Sequence, residues 1–283
     1  MPRCEVCFRH CELKEGQLGF CSARICAGGK VTAANYGRIT ALALDPIEKK
    51  PLRRFMPGRR ILSVGSYGCN LRCPFCQNHE ISWSQQAMQF ADTAEFIEPD
   101  ELAAAAQRYR SRGNVGVAFT YNEPLVGYEY VRDTAKLVHE AGMVNVLVSN
   151  GTAELAVLDE ILPYIDAMNI DLKGFTDRYY QDVLGGDRAM VMHFIERAVQ
   201  FCHVELTTLI IPGENDTEKE MREMCTWIAH LRGLAPGSEI PLHISRFFPR
   251  FHMTDRAATD VAKVYKLADV AREKLSYVYT GNC

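Results

Sequence analysis

The chain of 283 residues carries 32 Lys and Arg against 35 Asp and Glu, a formal charge of −3, and 47% of its residues are hydrophobic. That balance gives no reason to expect nucleic acid or an anionic membrane as partner, and the composition is that of a globular protein with a substantial core. No apolar run approaches the length that spans a bilayer, the opening MPRCEVCFRH lacks the apolar stretch of a secretory signal, and a cytoplasmic location is expected.

The first 55 residues hold Cys4, Cys7, Cys11, Cys21 and Cys26, two short β-like stretches (KVTAANY, GRITALAL) and the Pro- and Arg-rich connector DPIEKKPLRRFMPGRR. Of eleven cysteines, eight fall within the first 76 residues, which in a long chain without a signal peptide points to metal or redox chemistry instead of disulfides. Residues 1–55 are therefore expected to form a small, metal-stapled unit and residues 56–283 the main domain. The thiolates of Cys4, Cys7, Cys11 and Cys21 can close a tetrahedral zinc site or hold a second iron–sulfur cluster, with Cys26 a spare ligand. Cys202 and Cys225, isolated in sequence, read as small buried hydrophobes.

From residue 60 onward strand-like runs alternate with helical patterns. The runs are RILSVGS (60–66), VGVAFT (115–120), MVNVLVS (143–149), DAMNIDL (166–172), VELTTLII (204–211), IPLHISRF (240–247) and LSYVYT (275–280). Between them, Pro99 and Gly113 bracket one helix, Thr217 and Glu220 form a capping-box pattern ahead of the stripe Met221, Met224, Ile228 and Leu231, and residues 259–274 carry another apolar stripe. Repeated strand–helix–strand units predict an α/β fold, a parallel sheet with helices outside it.

The first of these strands leads into GSYGCNLRCPFCQNHEIS, residues 65–82, where Cys69, Cys73 and Cys76 are spaced C-x3-C-x2-C. A parallel α/β sheet builds its sites at the carboxyl ends of its strands, so the loop is placed for chemistry. Thiolates suit zinc and iron–sulfur clusters, and a [4Fe–4S] cube asks one ligand per iron. Three cysteines leave one iron open to substrate or cofactor. A closed zinc site would need a fourth ligand, for which His79 is the nearest candidate.

This motif, with Phe75 before its last cysteine, resembles that of the radical S-adenosylmethionine (SAM) enzymes. The likeness is greatest to the pyruvate formate-lyase activating-enzyme-like group and, within it, to the radical SAM component of the AmmeMemoRadiSam system, whose leader the N-terminal cysteines also resemble. It is carried further by FTYNEPLVGYEYV, LPYIDAMNIDLKGF, ELTTLIIPGEND and HISRFFPRFHMTD. The resemblance implies a partial (β/α)6-type barrel and a [4Fe–4S] cluster on Cys69, Cys73 and Cys76 whose open iron chelates SAM, with Phe75 near the adenine. Glu123 and Pro124 match the end of the family's Gly-Gly-Glu-Pro segment, which holds the methionine ammonium, while Tyr121 and Asn122 stand where the glycines would be. Ser149 and Asn150 fall where the family contacts the SAM ribose or carboxylate, and Ile211 falls beside the adenine. Asp171 and Lys173, on one face of a strand, are suited to a hydroxyl and a carboxylate; His243 and Arg246 are within reach of substrate or SAM.

The implied reaction is reductive cleavage of SAM to a 5′-deoxyadenosyl radical that takes hydrogen from an unidentified substrate, a protein of the Memo or AMMECR type being one candidate. It needs a one-electron reductant of the flavodoxin or ferredoxin kind. No residue is singled out for catalysis. A glycyl-radical activating enzyme is the second enzyme reading, disfavoured by the absence of Gly-Gly before Glu123 and by the N-terminal cysteine leader, and a zinc- or cluster-stabilised binding module without turnover is the third.

Overall fold

The computed structural model describes residues 1–231, 233 and 239–283. A hairpin, β1 (Arg24–Ala27) and β2 (Lys30–Ala33), and the short β3 (Arg38–Ile39) precede β4 (Ala41–Pro46) and β5 (Arg60–Gly65). After β5 come α1 (His79–Ser82), α2 (Gln85–Thr93), β6 (Glu95–Phe96) and α3 (Pro99–Arg108). Regular alternation then begins: β7 (Asn114–Phe119), α4 (Tyr128–Glu140), β8 (Val144–Ser149), α5 (Leu155–Ile161), β9 (Ala167–Asp171), α6 (Arg188–Ala198), β10 (His203–Ile210), α7 (Glu218–His230), β11 (Leu242–Arg246), α8 (Val261–Arg272) and β12 (Val278–Gly281).

All seven predicted strands form and pair in sequence, in the order β12-β11-β10-β9-β8-β7-β5-β4. The pairs from β5 to β12 are parallel, and β4 alone runs antiparallel, against β5. Six strand–helix units closed by a final strand match the (β/α)6 expectation, and because β4 and β12 each have one neighbour among the described residues the barrel is partial. The central strands are buried on both faces, as in β5 with Ile61, Leu62 and Val64, because helices cover one side and the barrel interior the other.

Predicted helix ends recur with one change. Pro99 is the first residue of α3, and Gly113 adopts a left-handed φ of 85° where that helical segment stops. Thr217 accepts the Glu220 amide at 3.2 Å as in a capping box, but the Glu220 carboxylate accepts the Phe175 amide at 2.6 Å, tying α7 to the loop after β9.

The expected division at residues 55 and 56 runs between β4 and β5, two strands hydrogen-bonded along their length. The connector after β4 also enters the barrel: Ile47 and Leu52 are fully buried against Ile61, Ala118, Val146 and Ala167. Glu205 of β10 accepts the amides of Arg53 and Arg54 at 2.9 and 2.7 Å, and Asn169 of β9 donates to the Pro51 carbonyl at 2.9 Å. These contacts fill one end of the barrel interior and leave the carboxyl end of the strands open.

Candidate active site

That open end is a cavity of about 630 Å³, in the range of roughly 300–1,000 Å³ usual for small-molecule sites. Its wall takes Thr120 after β7, Ser149 at the end of β8, Asp171 of β9, Leu209 of β10, Ser245 of β11 and Gly281 of β12, so every parallel strand beyond β5 contributes. Cys69, Cys73 and Cys76, the only cysteines in its lining, come from the loop after β5.

The loop is fixed by its backbone. Gly68 has φ +95°, and a Cβ there would lie 2.6 Å from Ala23 Cβ and 2.7 Å from the Cys21 carbonyl oxygen, so the position admits glycine only. The Cys69 amide donates to Cys21 O at 3.2 Å, the Cys76 amide to Cys73 O at 3.2 Å, and the His252 amide to Pro74 O at 2.8 Å. Burial pushes all three thiols up, Cys73 to about 12. Thiols so placed are poor anions alone, and a bound metal would be needed to hold them as thiolates. His79 stacks on Phe251 at 4.2 Å and is absent from the cavity lining. Three soft donors on one wall, with no fourth cysteine, fit a cluster that keeps one iron open.

Glu123 is buried beside the cysteine loop, its amide donating to the Gly68 carbonyl at 3.2 Å. Its Oε1 accepts from the Leu125 amide (3.1 Å) and the Ser149 hydroxyl (2.8 Å), and its Oε2 from the Asn150 amide (2.7 Å). Burial outweighs these three donors and lifts the carboxyl to about 7. The positions of the two expected glycines are resolved by other means. Tyr121 takes a left-handed φ of 74° itself, its ring lies against Gly65, and its hydroxyl donates to Asp45 at 2.8 Å; Asn122 accepts the Ser66 amide at 3.0 Å. Holding a tyrosine at positive φ costs on the order of 1 kcal/mol or more and marks a backbone that the surroundings over-determine.

Ser149 and Asn150 are brought to the cavity, but their side chains serve protein groups: Ser149 holds Glu123, and Asn150 donates to Asn70 Oδ1 at 3.0 Å and to Cys69 Sγ at 3.7 Å. Asp171 and Lys173 both line the cavity and are joined at 2.7 Å. Burial opposes the Lys173 charge, yet the adjoining Asp171 carboxylate offsets it and raises the ammonium above its ordinary value. Phe75 lines the wall edge-on to Phe247 at 6.5 Å. Ile211 does not: it is fully buried with its amide on Asn215, and Leu71, Val148, Leu209 and Ile244 are the aliphatic lining residues. Arg246 is occupied with the Thr259 carbonyl, whereas His243 lines the cavity and is held at 2.6 Å by Glu205. Glu48, Lys49 and Arg53, on the connector, are lining residues that the sequence reading missed; their stretch stood out only as a run of charges after a strand.

The N-terminal cysteines also meet. Cys4, Cys7, Cys11 and Cys21 line one small cavity, while Cys26 is apart from it, its thiol on Glu15 at 3.6 Å.

The model of the Radical SAM superfamily matches residues 63–225, more than half of the chain. An uncharacterized protein of Methanocaldococcus jannaschii is 40% identical over 99% of this chain and 81% of its own length. The pyruvate formate-lyase-activating enzyme of Clostridium pasteurianum is 25% identical over 77% of this chain and 92% of its own. Among solved structures, a radical SAM methyltransferase from Sphaerobacter thermophilus superposes with a TM-score of 0.57 at 16% identity, covering 80% of this chain and 67% of that one. Streptococcus suis SuiB bound to S-adenosylmethionine superposes with a TM-score of 0.58 at 11% identity, covering 77% and 48%; at such identities these two likenesses speak to the fold.

Proposed function

The chain belongs to the radical SAM superfamily, and we propose that it holds a [4Fe–4S] cluster on Cys69, Cys73 and Cys76 and cleaves SAM reductively to abstract hydrogen from a further substrate. The observation that carries this reading is that the three cysteines and Glu123 line one cavity at the carboxyl edge of a parallel sheet. When bound, cluster and SAM together supply a one-electron cleavage that yields methionine and a 5′-deoxyadenosyl radical.

The residues divide the remaining work. Glu123, fixed by three donors, presents its carboxylate to the SAM ammonium, whose positive charge offsets the burial that otherwise favours the protonated acid. Lys173, kept cationic by Asp171, is placed for a carboxylate, and Asp171 retains a second oxygen for a hydroxyl. Phe75, Leu209 and Ile244 offer apolar surface to an adenine and exclude water from the reacting centre. Asn150, donating to Cys69 Sγ, stabilises a thiolate at that corner.

The substrate reading is a protein or peptide, with a low-potential flavodoxin- or ferredoxin-like donor as reductant, and placement in the AmmeMemoRadiSam group follows from the motif likeness. Glycyl-radical activation stays beside it. Relatives at 25% and 23% identity are named as activating enzymes, and because Tyr121 adopts the backbone a glycine would, the missing Gly-Gly does not separate the two enzymes. Anaerobic reconstitution with iron and sulfide, followed by assay of 5′-deoxyadenosine under reducing conditions, tests the common step. The expected result is SAM-dependent product that any of Cys69→Ala, Cys73→Ala and Cys76→Ala abolishes. A protein that takes up no iron, or a Cys76→Ala variant of full activity, refutes it and leaves the binding-module reading.

A further inference from the structure

The four cysteines of the leader and the three of the barrel loop are far apart in sequence but adjoin in space. The Cys69 amide donates to the Cys21 carbonyl, so a single hydrogen bond interrupts an otherwise covalent path between the two thiols. A second set of contacts runs through side chains: Asn70 donates to the Thr152 carbonyl at 3.4 Å and accepts from Asn150, which also donates to Cys69 Sγ. Cys7 further forms a bridge with Ala153, just past the end of β8.

Charge points the same way. Arg9 donates to the Asn70 carbonyl at 2.8 Å and lines the same small cavity as Cys4, Cys7, Cys11 and Cys21. Arg72 donates to the Cys69 carbonyl at 2.9 Å, and the two guanidinium groups cover the Phe20 ring at 3.4 and 3.8 Å. Two cations set between two groups of thiols favour centres whose net charge becomes more negative on reduction. The four leader thiols supply soft donors to one small cavity, a set suited to zinc or to an iron–sulfur cluster, and the neighbouring cations and the link to Cys69 favour the redox-active one. Cys11 is half-buried and Phe20 is exposed beside it, so the leader site has an edge at the surface.

We propose that Cys4, Cys7, Cys11 and Cys21 bind a second iron–sulfur cluster that feeds electrons to the site at Cys69, Cys73 and Cys76. The feeding role rests on the function proposed above; the second site does not. A low-potential protein donor of the flavodoxin or ferredoxin class gives up one electron and is oxidised. The leader cluster is reduced by that electron and returns to its oxidised state when it passes the electron across the Cys21–Cys69 hydrogen bond. No bond forms or breaks and no proton moves in the relay. With all four ligands supplied by the chain, the leader cluster has no open iron and takes no SAM.

Two variants separate the sites. A Cys69→Ala, Cys73→Ala, Cys76→Ala triple variant, reconstituted anaerobically, should retain roughly four iron and four sulfide against roughly eight of each in the wild type, and give an electron paramagnetic resonance signal on reduction that SAM leaves unchanged. Zinc in place of iron, or no metal, overturns the proposal whatever becomes of SAM cleavage. In a Cys7→Ser, Cys11→Ser variant the remaining cluster should keep a SAM-shifted signal and its rate of reduction by dithionite, but lose fast reduction by reduced ferredoxin. Unchanged reduction by ferredoxin overturns the relay. Should that variant fail to fold, stopped-flow reduction of the wild type by ferredoxin decides: the SAM-insensitive signal must rise before the SAM-shifted one, and the reverse order overturns the relay. A missing SAM-shifted signal alongside an intact leader cluster counts against the proposed function and not against the second site.

Discussion

Ser149 donates its hydroxyl to Glu123 Oε1 at 2.8 Å, from the end of one strand to the carboxylate that follows another. With the Leu125 and Asn150 amides this leaves Glu123 little rotational freedom, and a carboxylate fixed in advance binds a cation without further ordering cost. Glu123→Gln should weaken SAM by a charge-assisted hydrogen bond, on the order of 1.5–3 kcal/mol or roughly 10- to 150-fold in Kd, with the cluster spectrum intact. Ser149→Ala should weaken it less, because two donors remain. Equilibrium dialysis of SAM against the reconstituted proteins reads both values, and equal affinity of Glu123→Gln and wild type removes Glu123 from the SAM site.

Gly68 tests how tightly leader and cluster loop are joined. An added methyl would meet Ala23 Cβ at 2.6 Å and Cys21 O at 2.7 Å, on a backbone at φ +95° that side chains rarely adopt. Gly68→Ala should therefore push the loop away from the leader, costing more than about 3 kcal/mol and lowering iron uptake at the barrel cysteines. Iron content and urea midpoint check this together; wild-type values for both would mean the loop has room that the contacts deny it.

Most of the fold was legible because parallel strands buried on both faces are continuous apolar runs, and Cys69, Cys73 and Cys76 were legible because metal ligands in one loop are close in sequence. What escaped was set by long-range packing. Nothing in DPIEKKPLRRF announces that Ile47 and Leu52 fill the barrel end or that Glu48 and Arg53 reach the cavity, since a Pro- and Arg-rich stretch ordinarily reads as a linker. Ile211 was placed by analogy at a strand end, but the loop there turns its side chain into the core and leaves Leu209 on the wall. Tyr121 runs against propensity, because a non-glycine at positive φ is decided by its neighbours.

Those neighbours make Tyr121 testable. Its hydroxyl donates to Asp45 Oδ2 at 2.8 Å, where the buried Lys50 ammonium also binds at 2.8 Å, and that ammonium lies 4.8 Å from the ring centre. Tyr121→Phe keeps the ring and the backbone and deletes one hydrogen bond to a charged acceptor. A loss of about 1.5–3 kcal/mol in unfolding free energy is expected from urea titration, with SAM affinity nearly unchanged. A stability equal to wild type would show that the hydroxyl is not a support of this turn.

Glu205 carries the clearest pH dependence. Burial works against its charge, but His203 at 3.0 Å, His243 at 2.6 Å and the amides of Arg53 and Arg54 outweigh it and hold the carboxyl at about 2. In the unfolded chain a glutamate titrates near 4.3, so the unfolded state takes up the proton first as pH falls. The stabilisation, on the order of 3 kcal/mol, is thus present in full above the unfolded value and is lost progressively between about pH 5 and pH 2. Glu205→Gln removes the charge that orders the connector and His243, and should lower stability at pH 7 by a similar amount while flattening the acid limb. Unfolding free energies of the two proteins measured from pH 3 to pH 7 should converge toward the acid end. Curves that stay parallel throughout would mean that the carboxylate contributes packing and no charge-dependent support to the barrel floor.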